Sequence, residues 1–212
     1  MRKRLLALFC CAALAAPLPA AAAETPVNLA RGKSYTVEKG VDTSHSYALY
    51  AEGGESFDVD GGQLTDGAKD DYYKAFRALS RTVTIDLGAV CSVTGYETTF
   101  YSTSSSGVYV PRCISMAVSQ DGEQYMTVSQ AARDYSIFGT PNRTSTLGDT
   151  LASPAAARYV RIEFPVDVFC YISEIEVYGY ETPQGNELPF RADEPTAYPN
   201  ALYEKYAEEI GG

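Results

Sequence analysis

Tryptophan is absent from all 212 residues, and histidine occurs once, at His45. Any broad aromatic surface must therefore be assembled from the 17 Tyr and 8 Phe. No His/Cys pair has the spacing of a zinc site, and no Ser or Cys sits at a recognisable nucleophile motif beside His45. Basic residues are also scarce, 17 Lys and Arg against 27 Asp and Glu, and they form no cluster beyond the first few residues. A phosphate backbone needs such a cluster, so nucleic acid is a poor partner for this chain.

Long apolar runs are missing too. The start, MRKRLLALFCCAALAAPLPAAAAE, has a basic head, a short apolar stretch broken by Pro17 and Pro19, and a small-residue cleavage site at Ala21 to Ala23. A membrane-spanning helix needs about 20 apolar residues, so residues 1–23 read as a secretory signal peptide and the protein is expected outside the cell. Phe9 before Cys10, and Cys10 before Cys11, fit a lipoprotein cleavage site poorly. Removing Arg2, Lys3 and Arg4 with the signal leaves 14 basic against 27 acidic residues, a net charge of −13. Three cysteines remain, Cys91, Cys113 and Cys170, an odd number that cannot all pair within one chain. Cross-links therefore do not organise the fold, and a chain of this length can bury a core without them.

What is present is β-structure. From Val27 to Gly179, short alternating or β-branched runs are separated by Gly, Ser, Asp and Pro. The clearest strands are Arg81 to Gly88, Ser92 to Tyr101, Arg112 to Ser119, Ala157 to Phe164 and Ile172 to Gly179. Val83, Ile85 and Leu87 share one face of the first, Thr82, Thr84 and Asp86 the other. Strands that bury one side and wet the other build sandwiches. SQDG (Ser119 to Gly122) reads as a turn joining two β runs, and STSSSG (Ser102 to Gly107) as a polar loop. After Tyr180 the composition changes, and residues 181–212 read as a Pro- and acid-rich linker followed by a short helix starting near Pro199 and Asn200.

The acidic stretch QLTDGAKDDYY (Gln63 to Tyr73) is the sharpest chemical signal, and its carboxylates admit three readings: a turn, a metal cradle or half of a catalytic pair. An EF-hand is excluded, because Gly67 directly follows the first acid.

NLARGK (Asn28 to Lys33), LTDG (Leu64 to Gly67), TIDLG (Thr84 to Gly88), MAVSQDG (Met116 to Gly122), ARYVRIEF and SEIEVYG (Ser173 to Gly179) resemble, in order, the landmarks of the discoidin or coagulation factor 5/8 type C family, which overlaps carbohydrate-binding module family 32. The resemblance implies one domain over residues 26–180, an all-β, eight-stranded antiparallel jelly-roll sandwich of the galactose-binding-like type. It implies a structural calcium held by Asp66, the carbonyl of Leu64, Asp70, Asp71 and Glu174. It further implies a glycan or polysaccharide ligand taken by loops at one end, with His45, Tyr47, Tyr50, Arg112, Phe169 and Tyr171 at comparable places. Tyr73 occupies the position of the family's core tryptophan. On this reading the protein is a secreted, non-catalytic binding module attached to glycans at a cell surface, in a wall or in the medium; loops that offer Tyr and Ser with few cations make membrane insertion the least expected variant. The stretch YYKAFRALSRTVTIDLG also resembles the discoidin-like N-terminal domains of larger secreted bacterial proteins, which implies a catalytic domain or surface protein as a further partner. A protein-interaction or surface-assembly role is the alternative, since fold does not decide function, and a glycoside-active enzyme is the third.

Overall fold

The computed structural model describes residues 25–39, 59–60, 63–69, 73–77, 80–132, 143–166 and 168–194. The signal sequence and the terminal helix expected from the sequence lie outside them. Among the described residues nine strands are formed: β1 (Val27–Asn28), β2 (Tyr35–Lys39), β3 (Val59–Asp60), β4 (Lys74–Arg77), β5 (Arg81–Ser102), β6 (Cys113–Ser119), β7 (Met126–Ala132), β8 (Arg143–Phe164) and β9 (Phe169–Tyr180). Every ladder between them is antiparallel. Among the described residues no helix is long and apolar enough to cross a membrane.

The fold is an antiparallel jelly-roll sandwich in which β5 and β8, 22 residues each, serve both layers. One layer runs β2, the first half of β5, the second half of β8, β6 and β7. The other runs β3, β4, β9, the second half of β5 and the first half of β8, with β1 on the far part of β9. The change of layer falls at a register shift between Asp86 and Cys91, where Gly88 takes φ +88°. A positive φ costs glycine little, so the corner sits where the sequence permits it.

Alternation fixes what faces inward. Val83, Ile85, Ile114, Met116, Val118, Val160 and Ile162 from one layer meet Phe76, Val93, Tyr96, Phe100, Ile172, Ile175 and Val177 from the other, all buried. Phe164 ties them together, with ring centroids 6.1 Å from Phe76 and 6.0 Å from Phe100. The segment after β9 doubles back along the free edge of β7. The Asp193 N–H donates to the Tyr125 carbonyl at 2.8 Å, and its carboxylate accepts the Thr127 N–H and hydroxyl at 2.7 Å each. Such cover matters because an open strand edge is a template for unwanted pairing.

Candidate functional site

The described residues among those singled out by the sequence fall at two clusters. The first is the acidic turn. The Ile175 N–H donates to the Leu64 carbonyl at 2.7 Å, and the Gly67 N–H donates to Glu174 Oε1 at 3.0 Å, so the turn lies directly on β9. Asp66 Oδ1 accepts the Ala68 N–H at 2.8 Å. Glu174 is 0% exposed, and its Oε2 is buried with no hydrogen-bond partner. Burial, offset in part by the Gly67 bond and reinforced by the charge of Asp66, pushes its carboxyl up to about 8.

How an acid comes to be buried here is a matter of strand phase. Phe169 and Tyr171 point outward from β9 while Cys170 and Ile172 point in, but the register with β5 slips between Thr99 and Phe100, leaving Ser173 as an extra residue. Beyond that bulge Glu174 and Glu176 face outward and Ile175 and Val177 inward. Glu174 would be wet there if the Leu64–Gly67 turn did not cover it. Beside it, Lys69 bridges Glu97 at 2.5 Å and Glu176 at 2.6 Å. Burial works to lower the Lys69 ammonium, but the bonds to Glu176 and Glu97 outweigh it and the net shift is upward.

Two groups here suit a hard cation in kind, a buried unpartnered carboxylate oxygen and a second carboxylate on the adjoining turn, while the Leu64 carbonyl already accepts the Ile175 N–H. Among the described residues no group of three or more His, Cys, Asp and Glu is gathered for a metal. Asp70 and Asp71 lie outside the described residues.

The second cluster sits where β4, β5 and β9 approach the loop Thr103 to Pro111. Val108 bridges Phe169, the Tyr109 N–H donates to the Phe169 carbonyl at 2.9 Å, and the Phe169 N–H donates to Gly107 at 3.1 Å. Across the ladder Arg77 pairs with Phe169, its guanidinium 6.0 Å from the ring centre. One rung on, Ala75, Tyr171 and Tyr101 are aligned. Tyr73 stacks against both tyrosines, 5.2 Å from Tyr101 and 6.1 Å from Tyr171, with interplanar angles of 29° and 25°. Arg77, Phe169, Tyr171, Tyr101 and Tyr73 are all half-buried, so this strip on the outer face of the sheet reaches solvent.

Of the expected ligand residues, Phe169 and Tyr171 belong to this strip, and Arg112 is half-buried at the entrance of β6 on the adjoining loop. His45, Tyr47 and Tyr50 lie outside the described residues. Arg77 and Tyr101 are not among the expected residues; Tyr73 is half-buried and joins the strip on the outer face rather than the core, where Phe76, 1% exposed, packs. The signal was in the alternation: once Phe76 and Phe100 point inward, Arg77 and Tyr101 must point outward.

Residues 41–175 match the family model described as the F5/8 type C domain. No curated protein matches the chain. Among solved structures it is similar to chitosan-binding module 1 of a chitosanase/glucanase from Paenibacillus sp. IK-5, at 18% identity over 72% of this chain and 99% of that one, TM-score 0.47. It is similar to the CpGH89CBM32-6 module of Clostridium perfringens, at 18% over 72% and 99%, TM-score 0.44. It is also similar to a fucolectin from striped bass (Morone saxatilis) serum, at 14% over 77% of this chain and 52% of that one, TM-score 0.49.

Proposed function

The chain belongs to the F5/8 type C domain family, and from that premise we propose that it is a secreted, non-catalytic module that adsorbs to glycans and is stabilised by calcium. The observation that carries the glycan reading is the strip of Phe169, Tyr171, Tyr73 and Tyr101 with Arg77 at its margin. Aromatic faces cover the C–H patches of a pyranose, and a guanidinium fixes the direction of its hydroxyls. Affinity through such an open surface is weak per site and grows when several copies act together. The acids support a binding role over a catalytic one: Glu97 and Glu176 are held by Lys69, and Glu174 has no exposed surface with which to meet a substrate. Affinity electrophoresis of the mature chain in gels containing neutral polysaccharides tests the reading. Retardation by at least one of them is expected, weakened about tenfold, or about 1.4 kcal/mol, in Phe169→Ala and Tyr171→Ala; equal mobility in every gel would refute it.

Calcium would be held by Glu174 and Asp66, and when bound it supplies the positive charge that the buried Oε2 lacks. Secretion rests on residues 1–23, and N-terminal sequencing of exported protein would find them removed.

A further inference from the structure

A separate concavity opens on the outer face of the other layer, between β2 and the β6–β7 hairpin. It is a cleft of about 370 Å³ walled by Thr36, Thr84, Asp86, Asp121, Tyr125 and Tyr159. Thr36 and Thr84 stand side by side in the β2–β5 ladder, and Asp86 pairs with Tyr159 one outward-facing position further on.

The two carboxylates lining the cleft are engaged internally. Arg158 grips both oxygens of Asp86 at 3.0 Å each, and this bond holds the carboxyl below its ordinary value. Asp121 accepts the Ser119 hydroxyl and the N–H groups of Glu123 and Gln124 at 2.8–3.0 Å. The Arg161 guanidinium lies 3.6 Å from the centre of the Tyr125 ring. An anionic ligand would meet the carboxylates of Asp86 and Asp121, and a cationic one would have to displace Arg158 from Asp86, so an uncharged ligand is the class this lining favours. The cleft is also far from the strip. Asp86 and Tyr159 form the last rung before the corner, while Arg81 and Phe164, at the other end of that ladder, lead into the Phe169 loop.

We propose that this cleft is a second glycan subsite, taking one neutral pyranose unit against Tyr125 and Tyr159 with the hydroxyls of Thr36 and Thr84 as hydrogen-bond partners. The ligand class rests on the glycan-binding reading; the location does not.

Titration of the ¹⁵N-labelled mature chain with chito-, galacto- and cello-tetraose, followed by amide chemical shifts, separates the two sites. The expected result is saturable shifts at Thr36, Thr84, Gly122 and Tyr159 with at least one oligomer, weakened fivefold or more in Thr36→Arg and in Tyr125→Ala, and retained in Phe169→Ala. Thr36 is exposed on an edge strand, so its replacement leaves the core untouched. Saturable shifts confined to Phe169, Tyr171 and their neighbours would overturn the subsite while leaving the function standing. Shifts confined to the cleft would uphold the subsite and unseat the strip, and silence everywhere would defeat both. An oligouronate saturating the cleft as tightly would overturn the neutral-ligand assignment.

Discussion

At the scale of single residues, Glu174 carries the most tension. One oxygen is satisfied by Gly67 and the other by nothing among the described residues, in a site where burial resists ionisation. A neutral isostere removes that cost. Glu174→Gln is expected to melt at or above the wild-type temperature in chelator; the proposed calcium would stabilise wild type by about 2.7 kcal/mol at a hundred times its dissociation constant and would not shift the variant. Differential scanning fluorimetry with and without chelator reads both halves, and a wild type indifferent to calcium would remove the metal from the protein's chemistry. The acid's meeting with the 64–67 turn could be expected only through the family resemblance, since 107 residues separate Gly67 from Glu174. Periodicity alone says nothing about which distant segments touch.

At the scale of elements, local pattern was informative where alternation is strict and silent where strands bend. Val83, Ile85 and Leu87 gave their strand, and Ile114, Met116 and Val118 theirs, because each buries one clean face. The first half of β8, RTSTLGDTLASPAA, has few large apolar residues and contains Gly148 and Pro154, so it did not read as a strand. Ile172 and Ile175 are three apart, and that broken period is the sequence trace of the β9 bulge. Gly148 shows why β8 has the composition it does. A Cβ there would stand 2.1 Å from the Tyr96 carbonyl oxygen, backbone that cannot step aside without parting β5 from β8. Gly148→Ala should cost about 1–3 kcal/mol in urea unfolding, the range for overpacking a filled site. Hydrogen exchange should quicken at Tyr96 to Thr98, and a loss under 0.5 kcal/mol would mean the strands shift freely there.

At the scale of the whole molecule, the three thiols report on the integrity of the core. Cys91, Cys113 and Cys170 are in no disulfide and are buried, 5%, 1% and 1% exposed, on three different strands. A thiol reagent should find them unreactive in the folded mature chain and titrate all three once urea has unfolded it. Prompt native-state labelling of Cys113 or Cys170 would mean that the layers part on the timescale of the assay. They are not built to part. Because β5 and β8 each pass from one layer into the other, the two halves share their own backbone, and neither can slide or hinge without tearing ladder bonds on both sides of the corner. A ligand at either proposed surface would meet sheet backbone that these ladders already hold in place, so its grip would be set by fit rather than by a rearrangement of the strands.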